Sequence, residues 1–437
     1  MTEILITNAY SALNRGDAAI ILGMVRSLRS TETFRDAVVR VSSANHPDDC
    51  GRYPVPVVPS FHSLKNRFSA NSDINALYFL VVLLPLSLVW AGVWRLTGLD
   101  MSFSGPFREL MRSYAGADLV IAAGGGYLYT TSQVHGNVVL VITVYSFCFG
   151  RLLGKPVFLY SQSIGPFATS WQQWFVRRAL TKVRLVEVRE EISGAMLDGW
   201  RLPIPVRRAA DAAFLIPARK PEKAPHLFAD EHRLMVGMTV RNWFRDPVRQ
   251  EEYEITMASF VTWLVEEMDA KVVFFPQVTF AEGSDDDREA AQRVATRVTN
   301  RNLVYVLEDE LDAEEIKWLC GRMEIFVGTR MHSNIFAMSC GIPTIAIAYQ
   351  PKTSGIMRSL GLEEFVLPIE KTTPASLREL FEALASKRAT IRELLLRRIP
   401  EVEEQALLGG ELIAKDFSAS VSSARDGASE PGTRVGR

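Results

Sequence analysis

Arg330 and His332 stand two positions apart in Val327-Gly-Thr-Arg-Met-His-Ser333, where the apolar run Glu324–Val327 gives way to the apolar stretch Asn334–Met338. Cations at the carboxyl end of a strand, beside the first turn of a helix, add their charge to unpaired amides and the helix dipole, which makes an anion site. Arg241 holds the equivalent position after Leu234–Val240, and Gln277 follows Lys271–Phe275. Guanidinium forks take oxyanions bidentately. An imidazole adds a hydrogen bond and changes protonation near neutral pH. A carboxylate, Asp17, follows the first apolar run in Asn14-Arg-Gly-Asp17, where a base or a helix cap would sit. Taken singly, each residue also has a plain structural use. Arg330 and His332 can solvate a turn, Arg241 can pair with Asp246, and Gln162 and Gln277 can be loop amides.

The elements that must position these residues are short β-branched runs alternating with amphipathic stretches, the pattern of parallel α/β sheets. Strands are expected at Glu3–Thr7, Val38–Ser42, Leu119–Ala122, Val157–Tyr160 and Leu185–Val188. A second series is expected at Leu234–Val240, Lys271–Phe275, Leu303–Val306, Ile325–Val327 and Thr344–Ala348. The reading is two Rossmann-like domains facing a cleft. An N-terminal domain spans 1–216, a proline-rich charged linker 217–232, a C-terminal domain 233–415, and a disordered tail 416–437. Ligands of open α/β sheets bind outside the carboxyl ends of strands. Those ends carry Asn14 and Asp17, the turn Gly124, Gly125 and Gly126, Gln162, Arg241, Gln277, Gly328, Arg330 and His332. The glycines would let backbone amides approach a ligand.

Composition narrows the class. The 437 residues carry a net charge of −1, so no basic excess points to nucleic acid. Four scattered cysteines lack the spacing of a disulfide framework or a metal site and read as thiols of a reducing compartment. The chain enters its first strand at Glu3 without a secretory signal pattern, so a cytoplasmic protein is expected. One segment departs from this ordinary composition. Ile74–Trp94 contains no charged residue, and Leu77–Trp90 is almost wholly apolar around Pro85. It is long enough to cross a bilayer. A single crossing would put the first strand on the opposite side from its sheet partners, so a bent helix or hairpin at a membrane surface, or a helix buried in the protein or a dimer, is expected. Trp90, Trp94, Arg95, Lys65 and Arg67 at its ends resemble interfacial anchors. The reading is a peripheral contact at the inner face of the cytoplasmic membrane, within an insert at about 61–113.

In combination, Asn14-Arg-Gly-Asp17, Gly124-Gly-Gly126, Gln162-Ser-Ile-Gly-Pro166, Val188-Arg-Glu190, Asp211–Phe214, Thr239-Val-Arg241, Pro276-Gln277 with Asp285–Arg288, and Gly328–His332 resemble the polysaccharide pyruvyl transferase family. The likeness covers roughly Glu3 to Leu362 apart from the apolar insert. It implies a fold like the two-domain GT-B glycosyltransferases. It also implies transfer of the pyruvyl group of phosphoenolpyruvate to a sugar as a ketal, with residues matching Arg241, Arg330 and His332 holding the donor. On that reading His332 is phosphate ligand and acid, and Asp17 is base or acceptor binder. Phosphoenolpyruvate is a co-substrate with no further cofactor or metal, and the acceptor is a saccharide, lipid-linked or free. A nucleotide-sugar glycosyltransferase of the same build is the alternative, although Ser333–Cys340 offers no carboxylate to grip a ribose. A non-enzymatic component of polymer assembly is the second alternative.

Overall fold

A computed structural model describes residues 1–102, 105–130, 134–222, 232–280 and 285–429. The β-branched runs of each half form a parallel sheet. The first sheet contains Glu3–Ala9 (β1), Val38–Ser43 (β2), Val57–Pro59 (β3), Leu119–Ala122 (β4), Gly125–Leu128 (β5), Val157–Ile164 (β6), Leu185–Val188 (β7) and Val206–Arg208 (β8). Its order is β3-β2-β1-β4-β6-β7-β8, with β5 against β6. The second contains Leu234–Thr239 (β9), Ala270–Phe274 (β10), Val304–Val306 (β11), Ile325–Gly328 (β12), Thr344–Ala348 (β13) and Val366–Pro368 (β14). Its order is β11-β10-β9-β12-β13-β14. All ten expected strands are present. The additional β3, β5, β8 and β14 have only three or four residues, too few to show a period.

Both orders are doubly wound, and the direction of winding reverses beside the first strand of each sheet, between β1 and β4 and between β9 and β12. Successive side chains of the first sheet enter two cores. Ile4, Ile6, Ile121 and Phe158 join a core continuous with that of the second domain. Leu5, Val120, Leu159 and Val186 face a separate core roofed by the helices of the opposite face.

The C-terminal helix corrects two expectations. It runs from Arg388 to Ser429, so the disorder expected from residue 416 is replaced by helix as far as 429. It also returns to the N-terminal domain. The hydroxyl of Tyr160 donates to the Ala406 carbonyl at 2.9 Å, Ser27 donates to the Leu407 carbonyl at 2.9 Å, and Arg184 pairs with Asp416 at 2.8 Å. Residues assigned by sequence to the second domain therefore complete the first. Small residues permit this crossing, since a side chain on Gly410 would lie 2.3 Å from the Ser27 carbonyl. Residues 223–231 of the expected linker and 430–437 of the expected tail lie outside the described residues.

The apolar segment is one continuous helical rod, not a hairpin, formed by Ser72–Tyr78, a π-turn at Phe79–Leu83 and Leu84–Thr97. The π-turn absorbs Pro85, whose ring and missing N–H would break an α-helical ladder; the Leu84 amide reaches back five residues to the Phe79 carbonyl. One side packs down through Phe79, Leu83, Ser87 and Trp90, and Ser87 bonds the Tyr145 hydroxyl at 2.7 Å. The other side leaves Leu77, Val81 and Val89 more than 60% exposed. Of the expected anchors, Lys65 and Trp90 are buried, whereas Arg67 and Arg95 are exposed.

Replacing Gly410 by alanine is expected to destabilise the protein by about 1–3 kcal/mol through overpacking against immovable backbone. The control Gly199→Ala, in a helix with open space around it, is expected to gain about 1 kcal/mol. Denaturant unfolding of both variants checks this. An unaltered Gly410→Ala would contradict the docking of the C-terminal helix.

Candidate active site

The two reversal points face each other across a cleft of about 620 Å³. The turn after β1 and the turn after β10 meet directly. The Arg15 amide donates to the Gln277 carbonyl at 2.9 Å, and the Thr279 amide donates to the Leu13 carbonyl at 3.1 Å. This short antiparallel bridge brings Asn14 and Asp17 of one domain against Gln277, Arg330 and His332 of the other. Gly16 makes the approach possible, because a Cβ there would lie 2.1 Å from the His332 imidazole.

On the C-terminal side, Arg330 begins the helix Met331–Ser339 without giving it a side-chain cap, so the amide end of that helix is left for a ligand. Asp287 fixes the guanidinium, accepting from Nε at 3.0 Å and from Nη2 at 2.6 Å, and it also accepts the backbone amides of Gln277 and Val278. Burial works against the Arg330 charge, but Asp287 outweighs it and holds the guanidinium firmly protonated. Arg241 lies against a pair of adjacent aromatic rings, 5.3 Å from the centre of Trp243 and 4.6 Å from that of Tyr349, whose centres are 4.5 Å apart. Its carboxylate partner is Asp285 at 3.1 Å, not Asp246, which caps the helix Pro247–Glu266. Burial alone would raise the Tyr349 pKa; Arg241, then Arg330 and Lys352, reverse this and lower it. Gln277, a cleft-lining residue, is 1% exposed, and both of its side-chain amide atoms are buried without a hydrogen-bond partner among the described residues. Such orphaned groups are costly unless a ligand or water satisfies them.

On the N-terminal side, the cap of the helix Arg15–Arg29 is Asn14, which accepts the amides of Gly16 and Asp17 at 3.1 and 3.4 Å. Asp17 is thereby free of a capping role. Its carboxylate accepts from the Asn14 amide nitrogen at 2.8 Å. Burial raises its pKa against the opposing influence of His332, Tyr127 and Lys352. Behind His332, buried Asp211 accepts from Arg189 at 2.7 Å and lies 3.7 Å from the imidazole Nε2. Burial alone would raise the Asp211 pKa, but Arg189 and then His332 hold it well below the carboxylate range. The site thus carries a negative charge behind the imidazole and a ring of cations in front.

The structure brings Asn14, Asp17, Gly126, Arg241, Gln277, Arg330 and His332 into the cleft lining. Four expected lining residues lie behind it. Gln162 is 2% exposed and spends its amide on the Ala122 and Ala123 carbonyls. Gly124 packs against Ser161 and Ile20, and Gly125 against Tyr127. Gly328 makes room for Asn334, whose amide donates to its carbonyl at 3.1 Å. These positions shape the turns and do not offer backbone to a ligand. The sequence reading assigned no role to Lys352, which lines the cleft over Gly126 and whose pKa burial lowers. It placed Arg189 only within Val188-Arg-Glu190 and the turn Tyr349–Lys352 only at a strand end, without a role for either residue. The available signal was positional, since Arg189 follows β7 as Arg241 follows β9.

The family profile described as polysaccharide pyruvyl transferase matches residues 14–351. The amylovoran biosynthesis protein AmsJ of Erwinia amylovora is 24% identical over 436 residues, covering 94% of this chain and 98% of AmsJ. Solved structures of similar shape include a putative UDP-N-acetylglucosamine 2-epimerase from Listeria monocytogenes. It has a TM-score of 0.57 at 10% identity and covers 93% of each chain. An α,α-trehalose 6-phosphate synthase from Burkholderia multivorans aligns with a TM-score of 0.53 at 11% identity, covering 97% of this chain and 100% of that one. At such identities the likeness speaks for the fold, a GT-B-like pair of Rossmann domains, and not for substrate. The profile match, in contrast, spans most of the sequence and includes both sides of the cleft, and the chain accordingly belongs to the polysaccharide pyruvyl transferase family.

Proposed function

We propose that the protein transfers the pyruvyl group of phosphoenolpyruvate to a sugar of an exopolysaccharide or its lipid-linked precursor, forming a pyruvate ketal. The observation that carries this reading is the convergence of Arg241, Arg330, His332 and Lys352 around the unpartnered amide of Gln277. A small donor bearing a carboxylate and a phosphate would be matched by two guanidinium forks, an ammonium and an uncapped helix end. The resemblance to an amylovoran biosynthesis protein favours an exopolysaccharide setting.

The chemistry follows from the charges. A proton adds to the enol methylene, and positive charge develops at the neighbouring carbon. One sugar hydroxyl attacks that carbon and loses its proton to a base. The bond to the phosphate oxygen then breaks, phosphate departs with a proton, and a second hydroxyl closes the ketal with loss of its own proton. Two protons are released by the hydroxyls, while the methylene and the phosphate each take one. Asp17 is assigned as base, since a carboxylate whose pKa is raised by burial is better matched to a hydroxyl. His332, backed by Asp211 and Arg189, is assigned to the departing phosphate as hydrogen-bond partner and acid. Lys352 and Arg330 neutralise the same oxygen atoms.

Attachment to the inner face of the cytoplasmic membrane completes the reading. The exposed side of the 72–97 rod is Leu and Val, and Arg67 and Arg95 stand at its ends. On the same face of the sheet, Trp171 and Trp174 are exposed beside Arg177 and Arg178. Apolar residues bordered by tryptophan and arginine fit a bilayer with anionic headgroups.

Phosphoenolpyruvate is expected to stabilise the protein thermally, and Arg330→Ala to remove that effect, because losing a charged hydrogen bond costs about 1.5–3 kcal/mol. Stabilisation by a nucleoside diphosphate and not by phosphoenolpyruvate would instead favour the glycosyltransferase reading. His332→Ala is expected to lower turnover more than donor affinity; equal turnover with only a weaker donor affinity would make His332 a binding residue. Sedimentation with vesicles containing anionic lipid should resist high salt and disappear in Leu77→Asp/Val81→Asp/Val89→Asp. Undiminished sedimentation of that variant, or a dimer of the parent protein that buries the rod, would remove the membrane assignment.

A further inference from the structure

Two carboxylates share the donor-facing arginines, and they do so on different terms. Asp287 is buried, with 2% of its side chain exposed, and grips Arg330 through both Nε and Nη2 while also holding two backbone amides. It is part of the framework that aims the guanidinium. Asp285 is half-exposed at 49%, whereas the guanidinium-bearing side chains it meets are 11% and 12% exposed. A single Asp285 oxygen, Oδ1, lies 2.9 Å from Arg330 Nη2 and 3.1 Å from Arg241 Nη2. It bridges the two arginines from the solvent side.

We infer that Asp285 is a resident competitor for the donor's anionic group: its carboxylate fills the subsite between Arg241 and Arg330 when the cleft is empty and is displaced when a donor binds. This rests on the reading of the cleft as the site of a small anionic donor. A carboxylate oxygen between two forks makes the contacts that a ligand carboxylate or phosphate oxygen would make. Without it, two buried guanidinium groups would face each other with only Asp287 to balance them, at a cost in repulsion and desolvation. With it, the empty site holds two cations against two carboxylates. Only the exposed carboxylate can leave cheaply, since water can solvate Asp285 but cannot reach Asp287.

The arrangement lowers affinity by the same factor for every anion that must displace Asp285. A donor that also engages Gln277, Lys352 and the helix end still binds after meeting that cost, whereas inorganic phosphate, with fewer contacts, is left weakly held. Asp285 thus limits retention of released phosphate, and its return to the arginines assists product departure. A carboxylate that merely positioned the arginines would act in the opposite sense, since its removal would loosen them.

Titration calorimetry of the full chain with phosphoenolpyruvate and, separately, with inorganic phosphate tests this directly. Asp285→Asn and Asp285→Ala should each tighten binding of both ligands by about tenfold, the effect of removing one competing charged contact. The gain should be a similar factor for the two ligands, and inhibition by phosphate should deepen. Asp287→Asn should move affinity the other way. Unchanged or weaker binding of both anions by the Asp285 variants would overturn the proposal and leave the donor assignment standing. Tighter inorganic phosphate binding by the variants, with no phosphoenolpyruvate binding by any form, would uphold the competitor and remove the donor assignment. Absence of binding of either anion to the variants would overturn the competitor.

Discussion

The backbone bridge between the turns after β1 and β10 is the constraint on which the site depends. Two hydrogen bonds, Arg15 to Gln277 and Thr279 to Leu13, close the cleft at one point and so set the distance between the reversal points of two separate sheets. Neither domain alone has the site. The N-terminal half contributes Asn14, Asp17, Tyr127 and Arg189, the C-terminal half Arg241, Gln277, Arg330, His332 and Lys352. Gly16 lets the bridge close, since any side chain there would occupy the place of the His332 ring. The C-terminal helix acts in the same sense at a distance, since it starts in the second domain and docks on Ser27 and Tyr160 of the first.

Charge compensation is the second theme. Burying an unpaired ion is costly, and two of the cleft-lining arginines have buried carboxylate partners: Arg189 has Asp211 and Arg330 has Asp287. Both arginines line the cleft, whereas their paired carboxylates Asp211 and Asp287 do not. Asp211 does double duty, pairing with Arg189 and standing behind the imidazole of His332. Lys352 makes no hydrogen bond or ion pair with any described side chain, and the neighbouring aromatic and carboxylate groups moderate the loss of charge that burial favours.

Much of this was legible in the chain. The period of the β-branched runs located every long strand, and the placement of Arg241, Arg330 and His332 at strand ends located the cleft. The failures have physical causes. Gln162, Gly124 and Gly328 resemble ligand-facing residues because close packing of backbone and a ligand's approach to backbone demand the same small or polar residue types. Lys352 and Asp285 were unassigned because a single charge in a turn has no period and its partner is set by tertiary contact. The C-terminal helix was hidden by its Ser- and Ala-rich end, which buries little in isolation and is held by Arg184 and by Phe34 against Phe417. The apolar rod was visible by length, but its division into a packed side and an exposed side emerges only once Phe79, Leu83 and Trp90 are seen under it.

The central claim is that this cleft moves a three-carbon unit and not a sugar. Phosphoenolpyruvate labelled at its central carbon, incubated with the protein and a membrane glycolipid extract, tests it most directly by magnetic resonance of the recovered glycan. The account predicts that the label appears as a ketal carbon bonded to two sugar oxygens, with one phosphate released for each ketal formed. Label that stays in phosphoenolpyruvate or is found only as free pyruvate, while a nucleotide sugar is consumed in the same extract, would contradict it.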